Sequence, residues 1–175
     1  LPLSRDLVEH HNAQRLETLH DEYDSLGRAL RRRGIAIDAV KERLKNLELA
    51  QPSWGVGVGG TRFARFPIAG EPSGIEEKLE DCAVVQQLCR ITPRVSPHFP
   101  WDKIADPVAM RGHAAALGLA FDAVNSNTFQ DQSGQPLSYR HGSLTHTDPA
   151  VRAQAVQHNI DCIRLGEALG SKALT

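Results

Sequence analysis

The chain has 175 residues, a formal net charge of -1, 41% hydrophobic and 23% charged residues, which fits one ordinary globular domain and excludes two large ones, a disordered chain or a fibre. Near-neutrality without a lysine or arginine stripe argues against nucleic acid as a partner. No apolar run approaches the roughly 20 residues that cross a membrane, and the start lacks a signal-peptide pattern, so no membrane contact and a cytoplasmic setting are expected.

Residues 1–51 read as an N-terminal helical segment. Ser4 can cap a helix in which Leu16, Leu19, Tyr23, Leu26 and Leu30 recur in steps of three and four before Gly34 stops it. Such a stripe seeks a surface, either on the same subunit or on a second copy. Arg31, Arg32 and Arg33 fall at the helix end, where they complement its dipole. Asp38 then opens a short amphipathic helix through Leu47, and Pro52 follows.

Residues 52–175 alternate short apolar strands with helices. "SWGVGV" reads as the first strand, and a helix from Gly74 to Arg90 carries Ile75, Leu79, Cys82, Val85 and Cys89 on one side. "RVSPHF" is the second strand. Its helix starts at Asp106-Pro107 and stops at Gly118. "LAFDAV" is the third, with a helix from Asp148-Pro149 to Gly170, and "SKALT" reads as entry to a fourth. Strands joined by crossover helices make a parallel sheet. It belongs either to an open doubly wound domain or to a (β/α)8 TIM barrel, which needs about 250 residues. The three cysteines are expected to be reduced, Cys82 and Cys89 buried and too far apart along one helix to bridge.

Gly55, Gly57 and Gly60 fall in the spacing of a dinucleotide fingerprint. The context disagrees with one. Pro67, Gly70, Pro72 and Gly74 keep a helix from following, and "AQPSW", with Pro52 in it, leaves almost no strand in front. The glycines are expected instead to admit a closely packed ligand or backbone.

Unusual residues gather after the strands, Arg62, Phe63, Arg65 and Phe66 after the first, His98 to Asp102 after the second and Asn125 to Phe129 after the third, at the face where α/β folds bind ligands. Trp54 and Trp101 offer flat apolar surface to a bound molecule, or else fill the core. His98 lies at a strand end with Asp102 four residues on. Either Asp102 or a backbone carbonyl fixes the imidazole tautomer, or Asp102 is a surface cap. Asn125 and Asn127 offer neutral hydrogen bonding to a ligand, and suit turns equally. A loop of about twenty residues runs on to Thr147, long for a mere connector. His141, His146 and Asp148 do not make a metal site, because Asp148 is needed as a helix cap. His10, His11, His20, His113 and His158 fall on helices as surface or packing residues.

The blocks "WGVGVGGTRFARFP", "SPHFPWDK", "FDAVNSNTF", "YRHGSLTHTD" and "HNIDCIRLGEALGSKALT" together resemble the N-terminal part of bacterial metal-dependent L-rhamnose isomerases, related to xylose isomerases. The resemblance runs along essentially the whole chain. It implies the N-terminal part of a (β/α)8 TIM barrel: the first three strand-helix units and the start of the fourth strand, preceded by the helical segment. It also implies a homotetramer, a monosaccharide substrate, and aldose-ketose isomerisation assisted by a divalent metal, Mn2+, whose ligands lie beyond Thr175, so that this chain holds no metal and is inactive by itself. His98 matches the family histidine beside the sugar ring, and Phe63 the aromatic residue that reaches into a neighbouring subunit's pocket, loop packing being its other reading.

Two further readings stand beside the enzyme segment. One is a non-catalytic sugar-binding or assembly fragment with the same half barrel. The other, an endonuclease-like barrel, fits poorly with a neutral chain that lacks paired carboxylate and histidine ligands.

Overall fold

The computed structural model describes residues 3–57 and 68–175. Ser4 caps the first helix as expected, its Oγ accepting the Leu7 N–H at 3.1 Å. The single helix expected as far as Gly34 is two: α1 (Arg5–Ala13) and α2 (Leu16–Arg31). Between them the Arg15 N–H turns back to the Asn12 carbonyl at 3.0 Å. No glycine or proline marks this break, so the leucine period reads straight through it.

Gly34, at φ +73°, ends the run, and α3 (Ile37–Lys45) folds back onto α2. Gly27 permits the approach, since a Cβ there would stand 3.2 Å from Ile37 Cγ2. Asp38 does not open α3. It sits in the first turn and accepts the Tyr23 hydroxyl at 2.8 Å. Leu16, Leu19 and Leu26 are each more than two fifths exposed, so most of the leucine stripe stays uncovered among the described residues.

Three parallel strands follow in the order β1 (Ala50–Pro52), β2 (Arg94–Ser96), β3 (Ala120–Phe121). The first is not "SWGVGV". Ser53–Gly55 is a 3-10 turn, Val58 lies outside the described residues, and the strand occupies the segment that its proline seemed to exclude. Pro52 is the last residue of β1, and among the described residues no strand pairs with β1 on the side away from β2. The strand straddles the expected junction between residues 51 and 52.

One row of the sheet sets Gln51 beside Val95 and Val95 beside Phe121. Val95 and Phe121 enter the core with Ile75, Leu79 and Cys82 of α4 (Ile75–Cys89), Met110 and Ala114 of α5 (Pro107–Ala116), and Cys162 and Leu169 of α6 (Pro149–Leu169). Burying each large aliphatic side chain contributes about 1.5–3 kcal/mol. Gln51 is polar in this buried row, and its amide donates to the Cys82 and Thr92 carbonyls at 3.0 and 2.9 Å. Val85 and Cys89 leave the expected stripe of α4 and are exposed; Lys78 and Ala83 are buried in their stead.

The helix ends follow the sequence chemistry. Asp106 accepts the N–H groups of Val108 and Ala109, and Asp148 that of Ala150. Gly118 and Gly170 adopt positive φ at the stops. Beyond β3, Val124 and Leu174 form a parallel bridge, with the Thr175 N–H on the Val124 carbonyl at 2.8 Å. Among the described residues no helix is long and apolar enough to cross a membrane.

Candidate functional site

The chain leaves β2 through Pro97 and turns sharply at His98. The Trp101 and Asp102 N–H groups both donate to the His98 carbonyl, at 2.9 and 2.8 Å. The Asp102 carboxylate closes the same turn from the other side, its Oδ2 accepting the His98 backbone N–H at 2.7 Å. Asp102 is therefore neither a surface cap nor a partner of the imidazole. It is 1% exposed and works on the backbone.

Two donors from other elements complete its shell. Ser53 Oγ, at the end of β1, donates to Oδ2 at 2.5 Å, and Lys78 Nζ, from α4, to Oδ1 at 2.6 Å. Lys78 is itself buried. Neither residue was expected at the site. The available sign for Lys78 was its position three after Ile75 and four before Cys82, a charge set into an apolar stripe.

Aromatic rings frame His98. Its imidazole stacks on Trp101, with ring centroids 3.7 Å apart and 21° between planes, and meets Trp54 edge-on at 5.6 Å and 78°. Both indoles keep more than two fifths of their surface exposed, whereas His98 is 3% exposed. Neither tryptophan is core filling. Among the described residues nothing hydrogen-bonds the buried Nδ1 of His98. Burial above all pushes this imidazole down to about 4; the Asp102 charge opposes the fall and Lys78 adds to it. At neutral pH the ring is uncharged.

Asn125 lies beside His98 through a parallel bridge, its carbonyl accepting the Phe99 N–H at 3.1 Å. Its side-chain oxygen takes the Asn127 N–H at 2.9 Å, and the Asn127 oxygen takes the Phe129 N–H at 3.3 Å. Asn127, at φ +46° and 2% exposed, is thus engaged in turn chemistry. The long loop beyond is tied down locally. Asp131 accepts from Ser138 Oγ and the Tyr139 N–H, and Gln154 of α6 clasps Leu137. His158, expected only to pack, also reaches the Ser126 carbonyl at 2.6 Å. His146 Nδ1 receives the Asp148 N–H at 2.9 Å, which leaves that pair to the cap of α6.

Gly55 and Gly57 serve the chain's own packing. A Cβ on Gly55 would approach Pro52 at 3.3 Å, and one on Gly57 would approach Lys78 Cε at 3.3 Å. Gly60 and Phe63 lie outside the described residues.

No family model matches the chain. Two curated relatives do: a probable sugar isomerase of Rhizobium meliloti, 58% identical over 175 residues, and one of Mesorhizobium japonicum, 57% identical over 173. The matches cover 100% and 99% of this chain but 41% and 40% of the relatives. The chain is similar to a segment of these two probable sugar isomerases. It spans about two fifths of their length.

Proposed function

We propose that the chain supplies the sugar-facing wall of an aldose-ketose isomerase of the L-rhamnose type, in a protein whose fold continues as a (β/α)8 barrel. The observation carrying this reading is the uncharged His98 imidazole, held between Trp101 and Trp54 at the carboxyl ends of parallel strands, its Nδ1 without a hydrogen-bond partner among the described residues. A strand order that follows the sequence, with α4 against α5 and α5 against α6, supports the barrel. The similarity to probable sugar isomerases supports the substrate class.

The tryptophan faces bind the C–H surface of a pyranose. His98 accepts the proton of the anomeric hydroxyl as the C1–O5 bond breaks, and returns it to the departing ring oxygen, leaving the open-chain aldehyde. This step needs a neutral base at working pH, which burial provides. Hydrogen transfer between C1 and C2 then falls to groups outside this chain.

The resemblance also points to a divalent cation, Mn2+, in the complete protein. The residues here do not fit one. Both Asp102 oxygens are taken by Lys78, Ser53 and a backbone N–H, and among the described residues no group of three or more His, Cys, Asp or Glu could hold a metal. The cation belongs to residues elsewhere in the full-length protein. Assembly into a homotetramer is proposed on the same resemblance, and the uncovered face of Leu16, Leu19 and Leu26 suits such a contact.

The test is ketose formation by the full-length protein from L-rhamnose with added Mn2+. Turnover is expected, and His98→Ala should lower it about ten- to a thousandfold in a folded protein. Sugar binding without ketose from any aldose would show a binding module instead. Full turnover in His98→Ala would remove the histidine from the chemistry.

A further inference from the structure

The geometry points to Lys78 as a positioning residue for His98, acting through Asp102 and resting on the isomerase reading above. Three elements meet at the Asp102 carboxylate. Lys78 brings α4, Ser53 brings the end of β1 and therefore its neighbour Trp54, and the His98 N–H brings the turn that carries Trp101. The relative placement of both indoles and the imidazole is thereby referred to one buried anion. Among the described residues the buried cation that pairs with this anion is Lys78.

Stability alone is a poor account of such a pair. Taking two charges out of water loses much of what their attraction returns, and well-packed apolar side chains commonly replace buried ion pairs without loss. A carboxylate behind the turn offers what an apolar residue cannot, an acceptor that fixes the His98 backbone without taking Nδ1, which no other described residue hydrogen-bonds. Lys78 neutralises that carboxylate, which would otherwise lie directly behind the imidazole and favour its protonation. Among the described residues that pack on this turn, Asp102 and Lys78 are the charged groups bonded within it; Ser53, Trp54 and Asn125 contribute neutral groups.

The test follows the His98 ring proton by NMR titration in the full-length protein, alongside ketose formation from L-rhamnose with Mn2+. Lys78→Gln keeps a donor for Asp102 but removes the charge. It should raise the His98 midpoint by roughly one pH unit and, because the weaker neutral contact loosens the turn that places the imidazole, lower kcat about tenfold with KM little changed. Lys78→Arg, which restores the charge, should return both toward the parent. An unmoved midpoint in folded Lys78→Gln would overturn the proposal, as would equal losses in Gln and Arg. If Lys78→Gln does not fold, Ser53→Ala removes another of the Asp102 donors and should move the midpoint in the same direction by less; no movement there overturns the proposal equally. A parent that makes no ketose sinks the isomerase reading, and the titration then decides the role of Lys78 by itself.

Discussion

Asp102 binds His98 by its backbone and not by its ring: Oδ2 lies 2.7 Å from the His98 nitrogen, while the imidazole Nδ1 has no hydrogen-bond partner among the described residues. A carboxylate on the ring would have favoured a charged imidazole. Placed on the backbone it orders the turn without engaging the ring nitrogen.

Removing that carboxylate should therefore cost more than a hydrogen bond. Asp102→Ala leaves the Lys78 ammonium buried without its partner and is expected to lower stability by about 3–5 kcal/mol, whereas Asp102→Asn retains an acceptor and should lose less. Urea unfolding of the two variants measures the difference. Equal midpoints would mean that Lys78 finds water or another acceptor without difficulty.

A second expectation concerns pH. His98 is pushed from 6.5 down to about 4 in the folded protein. The unfolded chain consequently binds a proton between those values that the folded one refuses. Stability is fully present above pH 6.5 and falls as pH drops toward 4, by about 3 kcal/mol at most, with no further loss from this group below. In His98→Phe, unfolding curves recorded across that window should flatten. An unchanged slope would assign the acid sensitivity to other groups.

Much of this was legible in the sequence where local chemistry decides. Asp-Pro starts and glycine stops gave α5 and α6, because capping and positive φ are properties of single residues. His98 and Trp101 were likewise readable from a strand end, whereas Trp54, read as opening the strand "SWGVGV", joins them only because β1 stops at Pro52. The misplaced β1 has a different cause. A proline counts against a strand only where the ladder needs its N–H, and which segment β1 pairs with is decided by residues 94–96, more than forty positions away. Lys78 and Ser53 stayed hidden for the same reason, since their common partner Asp102 lies 24 and 49 positions on. Asn125 and Asn127 read equally well as ligands or turn formers, and the side-chain oxygens resolve to turns.

Trp101 offers a way to separate binding from catalysis. Its ring covers the His98 face at 3.7 Å, and an apolar wall holds ground and transition states alike. Trp101→Ala in the full-length protein should raise KM for the sugar more than it lowers kcat. Because burial is the main cause of the depressed His98 value, the ring's titration should also move up toward 6.5. A loss confined to kcat would place Trp101 in the reaction and not in the wall.

The last expectation sets one substitution against itself at two helix positions. Alanine is the better helix former by about 0.8–1.0 kcal/mol per residue, so Gly→Ala in an open helix interior should stabilise. Gly112 of α5 is such a place, with nothing within 4 Å of a built Cβ. At Gly166 of α6 the same methyl group would stand 2.9 Å from Val124 Cγ2 and 3.5 Å from Cγ1. Val124 is 1% exposed and cannot withdraw freely, because its N–H and carbonyl are tied to Ala173 and Thr175. Overpacking of this kind costs about 1–3 kcal/mol, which exceeds the helical gain. Gly112→Ala should therefore raise the urea midpoint and Gly166→Ala lower it, with unchanged m-values. A stabilised Gly166→Ala would show that α6 can move away from β3 without loss, and that the close contact there does not set the position of the Asn125 to Asn127 loop.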